Sequence, residues 1–473
     1  MRVAGSVTRS FKPLVVAASL ATLPLLGQAD ELNAHQQLTH DIYKELVEIN
    51  TTASVGDTAK ASQAMAAHLK AAGFSDQDVQ AFESGPKRGN MVARLRGTGK
   101  RKPLLLLAHI DVVEAKREDW TTDPFELVEK DGYFYGRGTG DDKYMAAAYV
   151  ANLIRYKQEG YRPDRDIIVA LTTDEEISDR DGRGISWLLK HHRDLIDAEL
   201  ALNEGGGVGL KDGKPVSIGV QTSEKVFQSY HLEVRNPGGH SSLPTKDNAI
   251  YHLSQGLTRL AAFDFPVMLN ETTRAYFNAI AAMESGQLAA DMKAVTQPTP
   301  DPEVVTRLSA KPNYNAQLRT TCVATRLEGG HADNALPQLA RATVNCRVLP
   351  GHPLDDVQQT LQRVVADDQI KITPVPRDSA SPPSPLDPAL MRTIEKLSKQ
   401  FWPGAPLVPI MSAGATDGRF LRNAGIPTYG HSGLASDIFD VRAHGRDERV
   451  LVKSFYQGQE YLYRLVKALA GGK

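Results

Sequence analysis

Three short apolar runs in this 473-residue sequence end in residues that can hold a metal ion or move a proton. Leu104-Leu105-Leu106-Leu107-Ala108 passes into His109-Ile110-Asp111, residues 167–171 pass into Thr172-Thr173-Asp174-Glu175-Glu176, and residues 198–202 pass into Asn203-Glu204-Gly205-Gly206. Short runs that are apolar without alternation suit strands covered on both faces. Open α/β sheets bind ligands in the crevice beyond the carboxyl ends of their strands. One carboxylate there would mean little, but histidine and carboxylates at three such ends form a constellation.

His109 and Asp111 are two apart, so on an extended segment their side chains share a face. Asp111 can then accept from one imidazole nitrogen while the other binds a metal. The turn Gly136-Arg137-Gly138-Thr139-Gly140-Asp141 carries three glycines in five residues, which permits an unusual backbone path. A carboxylate delivered by it, Asp141, can bridge two metals through its two oxygens. The turn lacks the Gly-Lys-Ser/Thr ending of a phosphate-cradling loop. Adjacent side chains diverge after a strand, so one of Glu175 and Glu176 can bind metal while the other serves as general base. A further histidine is needed from the C-terminal segment, where His431 and His444 are candidates. His444 is favoured because Asp447 and Glu448 after it suit a helix N-terminus. No Gly-x-Ser-x-Gly elbow stands in strand–helix context, which argues against a serine hydrolase.

The elements that must position these groups alternate. Residues 34–50 and 58–72 suit helices, and strand-like runs separated by helical patterns follow to about residue 222, as in an α/β sheet. The style changes near residue 223. Residues 227–234 alternate as a half-wet strand does, and a helix (248–262), two strands (320–327 and 341–349), a helix (354–366) and a strand (370–374) follow. That order suits a small α+β, ferredoxin-like domain. Residues 265–318 read as irregular, with one helical stretch near 275–283. A Ser/Pro-rich linker at 377–386 leads back to helices and short apolar runs. The expected organisation is therefore a catalytic domain over 30–222 and 379–473, with a central mixed sheet flanked by helices, interrupted by an inserted lid or dimerisation domain over 223–378.

Residues 1–29 have the form of a cleaved signal peptide. Arg2, Arg9 and Lys12 are followed by an apolar run to Leu26 and by small residues before Asp30. The expected location is an exported one, periplasmic or extracellular. The balance of 55 basic and 56 acidic residues argues against nucleic acid or anionic membrane as a partner. Export would permit a disulfide between the two cysteines, Cys322 and Cys346.

The strings AHIDVV, YGRGTGDDKYMAAA, TTDEEIS, NEGG, NPGGHSSLP, EGGHADNALP and AHGRDERV occur in this order. Together they resemble the successive signature segments of the M20 metallopeptidases, most closely the carboxypeptidase S and N-acyl-amino-acid hydrolase branch. The resemblance implies a secreted di-zinc hydrolase that cleaves a peptide or N-acyl amide bond next to a free carboxylate. A dipeptidase or deacetylase of the same fold is the alternative, and a metal-free binding protein a remote one. It implies one zinc on His109, Asp141 and Glu204 and a second on Asp141, Glu176 and His444, with Asp141 bridging. It further implies Glu175 as general base, Asp111 orienting His109, His240 stabilising the oxyanion, often across a dimer interface, and Asn334 and Arg347 gripping the substrate carboxylate. Tyr144-Met145 departs from the family's usual Gly-Gly.

Overall fold

The apolar runs form the middle of one ten-stranded mixed sheet. In the computed structural model, which describes Gly5 and residues 32–473 except 178, 180 and 377–379, its strands follow the order Val79–Gly85, Arg88–Leu95, Ile167–Thr172, Leu104–His109, Leu200–Asn203, Thr428–Gly430, Lys214–Glu224, Val208–Lys211, Ala435–Asp437. Leu407–Ser412 pairs parallel with Lys214–Glu224. Leu104–His109 pairs parallel with both Ile167–Thr172 and Leu200–Asn203, so the three runs end at one edge. Leu104, Leu105, Leu107, Ile167 and Ile168 are fully buried, because helices cover both faces as a parallel sheet requires. Apart from Gly5, the expected leader over 1–29 lies outside the described residues. No helix among the described residues is long and apolar enough to cross a membrane.

Helix Lys143–Gln158 is buried along most of its length. Tyr144, which stands where relatives carry glycine, is fully buried. A Cβ on Gly458 of helix Val452–Ala470 would come within 2.1 Å of the Tyr144 hydroxyl. The large side chain is thus accommodated by a glycine on the facing helix.

A second, antiparallel sheet has the order Thr321–Gly329, Leu339–Val348, Val226–Arg235, Lys371–Pro374. Its strands and the helices Ala249–Ala261 and Leu354–Val365 follow the β-α-β-β-α-β order expected of a ferredoxin-like unit. Tyr230, Leu232, Ala342, Val344 and Cys346 point into its core. Cys322 and Cys346 are cross-strand partners and form a disulfide. The segment 265–318 is more ordered than its composition suggested. It holds four helices, Glu271–Met283, Gly286–Ala294, Pro302–Ser309 and Pro312–Leu318. Pro302 and Pro312 open two of them. Proline at a first helical position gives up an amide that has no intrahelical partner, so these prolines start helices rather than break them.

Candidate active site

His109 is the last residue of its strand, in register with Thr172, and Glu175, Glu176 and Glu204 follow the two neighbouring strand ends. Asp141 reaches the same place from the glycine-rich turn. Gly138 in that turn has φ +80°, and a Cβ there would lie 2.6 Å from a Val112 methyl. The turn is held by Glu448, whose carboxylate accepts from the backbone amides of Gly138, Gly140 and Asp141 and pairs with Arg137.

The two oxygens of Asp141 face different imidazoles. Oδ1 is 3.0 Å from His109 Nε2, and Oδ2 is 3.3 Å from His444 Nε2. Glu204 Oε1 lies 4.0 Å from His109 Nε2, on the first side. Glu176 Oε2 lies 2.9 Å from His444 Nε2, on the second. Atoms of His109, Asp141 and Glu176 fall within 4.8 Å of one another, as do atoms of His109, Glu175 and Glu204.

The electrostatics of the cluster fit a cation. Burial, then repulsion from Glu204, pushes Glu175 well above the ordinary carboxylate range. Burial, then Asp141, does the same to Glu204. The Asp141 and Glu176 contacts raise His444 to about 10. Burial opposes protonation of His109, but Asp111, Asp141 and Glu204 together raise it. Crowded buried carboxylates with imidazoles between them are a nitrogen–oxygen donor set suited to divalent metal.

Three details differ from the sequence reading. The His109 Nδ1 contact is the Asp111 carbonyl oxygen at 3.0 Å, while the Asp111 carboxylate is 3.7 Å away. That carboxylate instead accepts from the amides of Glu175 and Glu176, so it shapes the loop carrying both glutamates. Asp447 and Glu448 do not start a helix. A strand, Arg449–Leu451, intervenes, and Asp447 accepts from the Thr121 amide and hydroxyl. His431 is fully buried between the Gly219 carbonyl and the Tyr461 hydroxyl, away from the cluster.

The lid residues do not converge within one chain. His240 pairs with Ala335, and the amide of Ser241 donates to the Asn334 carbonyl, so His240 and Asn334 are neighbours. Arg347 sits at the other end of strand Leu339–Val348, roughly 25 Å away at ~3.3 Å per residue. There its guanidinium donates to the Ala413 carbonyl and lies 4.5 Å from the Phe227 ring centre. The sequence reading had placed Arg347 and Asn334 in one pocket, but the extended strand between them keeps them apart. Glu448 and Asp417 were not assigned roles from sequence. Asp417 accepts from Thr172 Oγ1 at 2.7 Å, and burial raises its carboxyl to about 7. Their partners are hundreds of residues distant, and no local spacing signals them.

Comparison with known proteins agrees with this arrangement. The chain is 32% identical over 361 residues to the N-fatty-acyl-amino acid synthase/hydrolase PM20D1 of Xenopus tropicalis, covering 74% of this chain and 69% of that one. It is 30% identical over 380 residues to the probable carboxypeptidase S-like 2 of Dictyostelium discoideum, covering 77% and 71%. Its fold is similar to that of an M20 family metallo-carboxypeptidase, Sso-CP2 from Sulfolobus solfataricus, with TM-score 0.65 at 16% identity over 92% of this chain and 99% of that one. A model of peptidase family M20/M25/M40 matches residues 105–468, and the chain belongs to that family of metal-dependent hydrolases.

Proposed function

We propose that the protein is an exported di-zinc hydrolase that cleaves the amide bond of N-acyl amino acids, or of peptides, next to a free carboxylate. The observation that carries this reading is the division of Asp141, with one oxygen toward His109 and Glu204 and the other toward His444 and Glu176. His109, Asp141 and Glu204 would hold one zinc, and Asp141, Glu176 and His444 the other. A Bacillus subtilis neighbour of this fold, with TM-score 0.58, is described as a dinuclear metal binding peptidase. Bound zinc would supply Lewis-acid activation of the scissile carbonyl and of water.

The chain's own residues do the rest. Glu175 takes a proton from the attacking water as the carbon–oxygen bond forms, and passes it to the amine nitrogen as the carbon–nitrogen bond breaks. Asp111 fixes the glutamate loop and His109. Arg347 binds the substrate carboxylate, for which a planar fork of donors is suited. Its described contacts, a carbonyl and a ring, leave it without an anion. The separation of Arg347 from His240 and Asn334 supports a homodimer in which a second copy's lid brings the latter two to this site. The edge strand Thr321–Gly329 suits such a seam, with Val323 61% and Leu327 67% exposed along an unpaired edge. The Cys322–Cys346 disulfide supports an oxidising, exported compartment. The relatives named for N-fatty-acyl-amino acids favour an N-acyl amino acid over a dipeptide.

The test is hydrolysis of N-acyl amino acids and dipeptides, each with a free or an amidated C-terminus. Free carboxylates should be preferred by roughly 30- to 150-fold in kcat/KM, the scale of a strong charge-assisted contact. Equal cleavage of amidated substrates would remove the carboxylate requirement. Dipeptide cleavage without N-acyl amino acid cleavage would favour a dipeptidase.

A further inference from the structure

Beside Asp141 and Glu204 opens a cavity of about 330 Å³. Tyr133, Leu434, Val441, Val450 and Leu451 contribute apolar surface to its wall. The charged groups of the same wall are matched to one another. Asp440 pairs with Arg442 at 2.6 Å and with Arg449 at 2.6 Å, Arg449 also donates to the Tyr135 hydroxyl, and Glu448 pairs with Arg137.

Residues 437–443 form one lip. Their backbone is fixed: the Ile438 amide donates to the Leu210 carbonyl, the Phe439 amide to Asp437 Oδ1, and Asp440 is clamped by its two arginines. The fixed loop nevertheless presents apolar side chains to solvent, with Phe439 79% and Val441 80% exposed and Ile438 44%. Single exposed apolar residues are ordinary, but three in four positions at the mouth of a cavity are a patch. The loop ends at His444, so the patch adjoins the cluster.

The cavity also lies on the correct side. Arg347 contacts Ala413, whose loop runs on to Asp417 and Thr172 near Glu175, and neither Arg347 nor Ala413 lines the cavity. A substrate held by its carboxylate at Arg347, with its amide at Asp141, directs its acyl group away from Arg347. We infer that this cavity and the Phe439–Val441 tip receive the acyl chain of the substrate and select long, uncharged chains over short ones. The inference rests on the function proposed above.

The test compares N-acetyl, N-butanoyl and N-octanoyl derivatives of one amino acid, using the zinc-loaded full chain. In the wild type, kcat/KM should rise with length by roughly three- to fourfold per methylene that enters the wall. The octanoyl-to-acetyl ratio of kcat/KM should fall at least tenfold in Val441→Asp and in Phe439→Ser, and be kept in Val441→Leu. A flat length profile in the wild type, or an unchanged ratio in both polar variants, overturns the inference while leaving the proposed hydrolysis standing. Absence of cleavage of every N-acyl amino acid, acetyl included, overturns both. Conversion of the polar variants to a lower oligomeric state with an unchanged ratio would make the tip a subunit contact and likewise overturn the inference.

Discussion

Arg137 Nη1 lies 2.8 Å from Glu448 Oε2, and each side chain is only 3% exposed. The pair ties the turn that delivers Asp141 to the segment just after His444. Glu448→Gln keeps the size but leaves Arg137 buried without its anion. Breaking a buried pair from one side costs about 3 kcal/mol or more. Urea unfolding of the variant should show that loss, and a change below about 0.5 kcal/mol would mean that the pair is dispensable.

His444 touches both Asp141 and Glu176. Purified wild-type protein should contain about two zinc ions per chain. His444→Ala should lose most of the second equivalent and retain the first. Elemental analysis after gel filtration decides this, and full retention would remove His444 from the ligand set.

Glu175 is to be separated from the ligands by activity. Glu175→Gln should keep its zinc and its thermal midpoint while losing about three decades of turnover, within the range for general-base groups. Loss of a zinc equivalent in this variant would make Glu175 a ligand, as its proximity to His109 and Glu204 also allows.

Complementation tests the shared site. Glu175→Gln and His240→Ala should each be inactive as homodimers. Mixed dimers of the two would carry one site with a native Glu175 and a native His240 from the other copy. Activity should reappear when the variants are unfolded together and refolded. If refolded mixtures stay as inactive as the separate variants, His240 does not act across subunits.

His431 sets a pH dependence of stability. Burial lowers its pKa to about 4, partly offset by the bond to the Gly219 carbonyl. Its ordinary value is near 6.5, so between pH 6.5 and 4 the unfolded chain binds more protons than the folded one. The stabilising contribution is complete above pH 6.5 and is lost as pH falls toward 4, with about 2 kcal/mol gone by pH 5. His431→Asn, less stable at pH 7, should lose less than the wild type between pH 7 and 5 in urea titrations. Parallel losses would assign the acid sensitivity to other groups.

Much of this arrangement is legible in the sequence because a parallel sheet writes its strands as unbroken apolar runs. The residues after Ala108, Thr172 and Asn203 therefore announce themselves. Glu448 does not, since it meets Arg137 across 311 residues and its environment is made by the fold. The helices at Pro302 and Pro312 were obscured because proline has opposite meanings at the start and in the interior of a helix. Asn334 and Arg347 are close in sequence, but the strand between them is extended, so proximity along the chain became distance in space.

That strand has a mechanical consequence. Leu339–Val348 is bonded along its length to both neighbours and stapled to one of them by Cys346. Its ends cannot move independently: the sheet behaves as a lever, with Arg347 close to the fulcrum at Ala413 and Asn334 and His240 on the long arm. A small rotation at the fulcrum becomes a larger sweep at the tip. In a dimer, closing one lid over its own carboxylate site would therefore carry His240 through an arc at the neighbouring site, gearing the two openings to each other.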